Sequence, residues 1–182
     1  MTTLEKAQLW LSDTFDAETR NKVQELIDTN SPDLEDSFYR ELEFGTGGMR
    51  GIMGVGTNRL NKYTLGQATQ GLANYLHQQF PGEDIKVAIA YDVRHNSKEF
   101  GKLVADVLTA NSIKVLLFSE HSPTPELSFT VRERKCNAGI VLTASHNPPE
   151  YNGYKVYWND GAQVVPPDDE NIIKEVYGTQ FD

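Results

Sequence analysis

Serine, histidine and asparagine stand consecutively in Thr143-Ala-Ser145-His146-Asn147-Pro148, directly after the apolar run Ala138-Gly-Ile-Val-Leu142. A hydroxyl on a turn that leaves a buried strand is exposed on a rigid support, where it can act as a nucleophile. His146, Asn147 and neighbouring backbone amides can surround an anion on that oxygen. The bland alternative for Ser145 is a cap on the following turn. Two other segments leave apolar runs in the same way, Asp92-Val-Arg94 and Ser119-Glu120-His121. Asp92 and Arg94 are expected to pair with each other or with backbone and support a loop. His77, His95 and His121 have no motif behind them.

The elements that must position these residues alternate. Lys86–Tyr91, Ile113–Phe118 and Ala138–Leu142 are short, nearly continuous apolar runs, as strands covered on both faces should be. Between them, helices start near Asn96, with Glu99 placed to complete a cap, and at Thr124-Pro125. Strand and helix in alternation imply a parallel sheet with right-handed crossovers, whose ligands gather at the carboxyl ends of the strands. Ahead of them, Thr64 and Gln67 form a capping-box pattern for a helix carrying Leu65, Ala68, Leu72, Leu76 and Phe80. Residues 44–58 hold six glycines, too many for a helix or a central strand, and read as a shaped loop. Tyr154–Trp158, Asn159-Asp160-Gly161 and Ala162–Val165 read as a hairpin adding an antiparallel edge strand, and a helix follows from about residue 168 to 177. Residues 1–43 are helical and acidic, with Leu4, Ala7, Leu11 and Val23, Leu26, Ile27 at helical spacing. The fold class expected is therefore α/β: a mostly parallel sheet of about four strands between helices, with an amino-terminal helical extension. The domain division expected is 1–43 for the extension and 44–182 for the main domain.

The chain has 182 residues and a formal net charge of −9, with no basic run, so neither nucleic acid nor an anionic membrane is expected as partner. No apolar stretch approaches a membrane span and no leader pattern opens the sequence, which points to the cytoplasm. Cys136 is the single cysteine, expected to be a small buried residue. An anionic small ligand remains compatible with an acidic protein that has a local basic pocket.

Two rival chemistries fit less well. A serine hydrolase lacks its Gly-x-Ser-x-Gly elbow here, and a histidine adjacent in sequence is expected to point away from its serine. A nucleotide-binding loop lacks Gly-Lys-Ser or Gly-Lys-Thr, and Gly45-Thr-Gly47-Gly-Met-Arg50 has arginine where a dinucleotide loop needs its third glycine. By contrast, Thr143–Pro148 followed by Asn152-Gly-Tyr-Lys155 resembles the active-site pattern of the alpha-D-phosphohexomutase family, which includes phosphoglucomutases and phosphomannomutases. Gly45-Thr-Gly-Gly-Met-Arg-Gly51, Tyr91-Asp-Val-Arg94 and Ser122-Pro-Thr-Pro125 resemble three further segments of that family, in the same order. The resemblance covers roughly residues 44–160; four patterns in register are far more specific than one.

The resemblance implies an intramolecular phosphotransferase that interconverts hexose 1-phosphate and hexose 6-phosphate. Ser145 would be a phosphoserine that gives its phosphoryl group to the sugar and recovers one from the hexose 1,6-bisphosphate. Arg50 and Lys155 would stabilise the transferring group, with Lys155 or His146 moving the proton of the sugar hydroxyl. Thr46, Gly47 and Asn147 would join them in binding phosphate. It also implies magnesium, held by the phosphate on Ser145 and by an Asp-Gly-Asp-x-Asp loop of a second domain that does not occur here; Pro167-Asp-Asp-Glu170 is better explained by the dipole at a helix start. The family's enzymes have four domains, of which this sequence matches the first. The remaining domains and a sugar phosphate are thus the implied partners. Glucose, mannose and pentose phosphates remain open, as does a non-catalytic phosphosugar-binding module.

Overall fold

The computed structural model describes residues 1–179; residues 180–182, the end of the main domain read above, lie outside the described residues. Three helices open the chain: α1 (Thr3–Leu9), α2 (Ala17–Asp28) and α3 (Pro32–Phe38). Each starts at a side chain that satisfies its first free amides: Thr2 in a capping box with Glu5, Asp16, and Ser31 ahead of Pro32. Their apolar stripes bury Ala7, Trp10, Phe15, Val23 and Phe38 in a cluster of their own, with Val55 and Tyr63 packed against it. Polar ties reinforce the join. The Tyr63 hydroxyl donates to Asp16 at 2.5 Å, Lys62 pairs with the same carboxylate at 2.5 Å, and the buried Arg59 pairs with Asp36 at 2.7 Å.

The rest of the chain runs β1 (Phe44–Gly45), β2 (Gly48–Ile52), α4 (Lys62–Gln79), β3 (Lys86–Tyr91), α5 (Ser97–Ala110), β4 (Lys114–Leu117), α6 (Thr124–Glu133), β5 (Ala138–Leu142), β6 (Tyr151–Trp158) and α7 (Asp168–Gly178). The sheet order is β1-β2-β6-β5-β3-β4. Strand β3 pairs in parallel with β4 and β5, and the other ladders are antiparallel. One face carries Val87, Ile89, Ile140, Leu142, Tyr154 and Val156 into a core shared with α4, α5 and α7. The other carries Ala88, Ala90 and Val141 against Leu127 and Val131 of α6. Helices α4 and α7 touch closely because a Cβ on Gly71 would lie 2.5 Å from the Val176 nitrogen.

The α/β class and the helical extension hold, but the sheet has six strands and only its β4-β3-β5 part is parallel. The glycine-rich segment is not merely a loop: it supplies β2, inside the sheet. Gly48 serves both backbone conformation and close approach: it holds φ +140°, and a Cβ there would sit 1.9 Å from the Tyr154 carbonyl oxygen. Strand β6 is not an edge strand either, because β2 occupies the side expected to be free. Residues 162–165 return beside it but form only one bridge, between Tyr157 and Gln163.

Strands β1 and β4 are the edges, and the residues of β4 are half-buried or exposed rather than covered on both faces. The caps also shift. Asn61 caps α4 and Thr64 is its reciprocal partner, while Asn96 begins α5 in the left-handed region without a side-chain cap or help from Glu99. Cys136 is buried, which pushes its thiol pKa up. Among the described residues no helix is long and apolar enough to cross a membrane.

Candidate active site

Strand β5 ends at Leu142, and the chain turns at once. Thr143 donates its N–H to the Gly153 carbonyl at 3.0 Å, and its hydroxyl accepts the Ser145 N–H at 3.0 Å. Ser145 itself has φ 56°, a left-handed value that a non-glycine residue holds only where its surroundings impose it. Its side chain is exposed. Contrary to expectation, His146 does not point away: its Nδ1 lies 3.3 Å from Ser145 Oγ, because the chain reverses sharply between the two residues. Asn147 follows, half-buried, with Oδ1 buried and without a hydrogen-bond donor, so only the NH2 end of its amide suits a phosphate.

Arg94 holds this loop from beneath. Its guanidinium donates to the carbonyls of Ser145 (2.8 Å), Asn147 (2.6 Å), Pro148 (2.9 Å) and Tyr151 (3.0 Å). Asp92 stands 3.5 Å from Arg94 Nε and accepts the Arg94 N–H at 2.9 Å. Behind Asp92 lie two buried residues that the sequence reading assigned no role, Ser97 and Asn152. Ser97 Oγ donates to Asp92 Oδ1 at 2.9 Å and accepts from Asn152 Nδ2 at 2.9 Å. Asn152 belongs to the Asn-Gly-Tyr-Lys segment that carries the resemblance, so a signal existed for it; Ser97 left none.

The cations arrive on neighbouring strands. Arg50 of β2 pairs with Gly153 of β6, and Lys155 of β6 pairs with Gly48 on one side and Val141 on the other. Alternation along the strands sends Met49 and Tyr154 into the core under α4 and leaves Arg50, Gly153 and Lys155 on the opposite face. Arg50 is exposed and Lys155 half-buried. Gly153 has no side chain to stand between Arg50 and the loop: a Cβ there would lie 2.6 Å from the Thr143 carbonyl oxygen and 3.5 Å from Arg50 Cβ.

Thr46 is exposed in the turn before β2, and Gly47, at φ +79°, is buried with its carbonyl accepting the Val156 N–H at 2.9 Å. These two sit at the Lys155 end of β2, not beside Ser145. An open concavity of about 370 Å³ beside Ser145 is lined by it and by Asp92, Val93, Arg94, His95, Asn147 and Pro149.

Carboxylates for a metal are not gathered here. Among the described residues no group of three or more His, Cys, Asp or Glu side chains could hold an ion. Asp92 is occupied by Arg94 and Ser97, and at the start of α7 Asp168 accepts the Tyr75 hydroxyl at 2.7 Å. The described residues therefore do not fit magnesium by themselves.

Comparison with known proteins agrees with this geometry. A family model described as phosphoglucomutase/phosphomannomutase, alpha/beta/alpha domain I, matches residues 41–182. Phosphopentomutase of Homo sapiens is 41% identical over 177 residues, which cover 92% of this chain and 29% of that protein. Phosphoglucomutase of Staphylococcus haemolyticus is 46% identical over 142 residues, covering 78% of this chain and 25% of that protein. The crystal structure of a phosphoglucomutase/phosphomannomutase family protein from Burkholderia thailandensis superposes with a TM-score of 0.63 at 26% identity, over 74% of this chain and 30% of that one. The chain thus spans less than a third of the length of these relatives. With the Ser145 loop, the strands bearing Arg50 and Lys155 and a family model over residues 41–182 in agreement, the chain belongs to the alpha-D-phosphohexomutase family as its first domain.

Proposed function

We propose that this domain carries the phosphoserine of a sugar-phosphate mutase, acting with further domains that supply the rest of the cleft. The observation that carries the reading is Ser145: an exposed hydroxyl on a left-handed turn, its loop gripped through four carbonyls by Arg94. Phosphoryl transfer asks little covalent chemistry of a protein but demands fixed geometry and positive charge around the moving oxygens. In the forward step a sugar hydroxyl oxygen bonds to phosphorus while the bond from phosphorus to Ser145 Oγ breaks. The hydroxyl proton passes to His146, which leaves Lys155 as a cation beside the phosphoryl oxygens. Reversing the step at the other phosphate of the bisphosphate returns a phosphoryl group to Ser145 and releases the isomer. Arg50 and Lys155, on adjacent strands of one sheet face, offset the charge that spreads over the phosphoryl oxygens.

Thr46, Gly47 and Asn147 contribute to phosphate binding in this reading, Gly47 through backbone alone. Magnesium would add charge neutralisation at the phosphate, with its carboxylates coming from another domain. A cytoplasmic setting, without nucleic acid or membrane as partner, is the one proposed; the acidic composition and single buried thiol support it.

The hexose reading is tested on a full-length enzyme carrying this domain, with glucose 1-phosphate and mannose 1-phosphate as substrates and mass spectrometry of the peptide bearing Ser145. Phosphate on Ser145 alone, and loss of turnover in Ser145→Ala, are expected. Undiminished turnover in that variant would end the phosphoserine reading. The 41% identity to phosphopentomutase over nearly the whole chain favours a second substrate, so ribose 1-phosphate belongs in the same assay.

A further inference from the structure

We propose that Asn152 and Ser97 are positioning residues for the nucleophile: a buried hydrogen-bond relay locks the Ser145 loop to the strand that carries Lys155. The inference rests on the mutase reading above for its kinetic test, but the relay itself is defined by geometry.

The direction of every proton in the relay is set. Asp92, as a carboxylate, can only accept, and its Oδ1 takes the Ser97 hydroxyl proton at 2.9 Å together with the Arg94 N–H at 2.9 Å. Having given its one proton away, Ser97 Oγ is left as an acceptor, and Asn152 Nδ2 donates to it at 2.9 Å. The same amide donates to the His95 carbonyl at 3.0 Å, and Oδ1 of Asn152 accepts the Gly153 N–H at 2.8 Å. Asn152 and Ser97 are both fully buried, so water cannot replace a lost partner in the native state. A carboxylate at position 152 could not donate at all, which makes the amide the only form of this side chain that completes the chain of bonds.

The relay joins four parts of the fold that carry the chemistry. Asn152 lies on β6, where it pairs with Gly51, one residue from Arg50 on β2 and three from Lys155 on its own strand. Ser97 opens α5, and Asp92 and Arg94 follow β3. Arg94 then reaches the loop after β5 through its four carbonyl bonds. A displacement of β6 relative to that loop is thereby opposed by a continuous set of bonds. In-line transfer is sensitive to such displacements: a misplacement of about 1 Å costs on the order of a hundredfold in rate.

Two measurements on a full-length enzyme carrying this domain test the relay, with Ser97→Ala and Asn152→Asp as variants. Hydrogen exchange is read over residues 143–151 and over the rest of the domain. Steady-state kinetics give kcat and KM separately, and wild-type turnover with phosphate on Ser145 serves as the control. The expected result is faster exchange confined to 143–151, with kcat lowered about 10- to 100-fold and KM within about twofold. Ser97→Thr, which keeps the hydroxyl, is expected to recover most of kcat. Exchange and kcat that stay at wild-type values in both variants would overturn the relay while leaving the mutase reading intact. A wild type without turnover or phosphate would instead remove the mutase reading, and the exchange result would still decide the relay. Should Asn152→Asp, which buries a carboxylate against acceptors, melt below the assay temperature, Ser97→Ala decides alone.

Discussion

Removing the guanidinium in Arg94→Ala takes a donor from four carbonyls at once, of which that of Pro148 keeps the Tyr151 N–H at 3.0 Å. Those of Ser145 and Pro148 lie in exposed surroundings and can turn to water, at little cost. Those of Asn147 and Tyr151 are partly buried, and a buried acceptor without a donor costs about 1–3 kcal/mol. Two such groups give about 2–6 kcal/mol, and relaxation of a surface loop brings the expectation to the lower half, about 2–4 kcal/mol. Asp92 adds little to this sum, because it keeps the Ser97 hydroxyl and the backbone N–H of residue 94. Arg94→Lys retains charge but has no planar fork to span several carbonyls, so about half the loss is expected. Urea unfolding with linear extrapolation measures both, with an unchanged slope as the sign that the native fold is kept. In a heating experiment the alanine variant should melt about 4–16 °C lower, at about 2–4 °C per kcal/mol for a domain of this size. A loss below about 0.5 kcal/mol, the range of ordinary surface substitutions, would show that the loop holds its own shape and that the arginine only decorates it.

Gly153→Ala should destabilise the domain by more than about 2 kcal/mol, since the added methyl meets the Thr143 carbonyl at 2.6 Å and the backbone on both sides must part. Calorimetry is the measurement, and a melting temperature within 2 °C of wild type would count against the packing described, at about 2–4 °C per kcal/mol. Asp16→Asn should keep the cap of α2 while losing the charge that Lys62 and Tyr63 hold. Their contacts keep the Asp16 carboxyl well below the usual carboxylate range. A depressed carboxylate contributes stability that is present above its unfolded pKa of about 4 and fades as pH falls toward its folded value. The stability gap between wild type and variant should therefore be level from about pH 7 to 5, shrink below about pH 4, and narrow in salt because the pair is partly exposed. The same gap at pH 3 as at pH 7 would refute the assignment.

What the sequence made legible was the local chemistry of the strand ends. Ser145, Arg94 and Asp92 leave buried apolar runs, and apolar runs of that length are hard to misread. Glycines were less transparent. In Gly48-Met-Arg-Gly-Ile52 they read as the geometry of a shaped loop, whereas Gly48 also leaves out a side chain where β2 and β6 come together. That use depends on a partner about a hundred positions away, which no local pattern reveals. The same partner moved β6 from the rim of the sheet to its interior. His146 was misjudged for a related reason. The expectation that adjacent side chains diverge assumes extended or helical backbone, and the left-handed turn at Ser145 breaks it. Ser97 was invisible because a serine at a helix start has an ordinary explanation, capping, that hides its service to Asp92.

The strand order has a consequence for biosynthesis. Arg50 pairs with Gly153, so although β1 covers one side of β2, the side facing β6 must wait for a segment about a hundred residues later. At about 5–20 residues per second, the chain leaving the ribosome spends about 5–20 seconds with that edge unmatched. The capped helices α1 to α3 close over their own cluster from residues already made. Ser145, Arg50 and Lys155 come onto one continuous sheet only when β6 slots between β5 and β2. A nascent chain stopped short of residue 151 would lack Lys155 and the strand that joins Arg50 to the rest of the sheet.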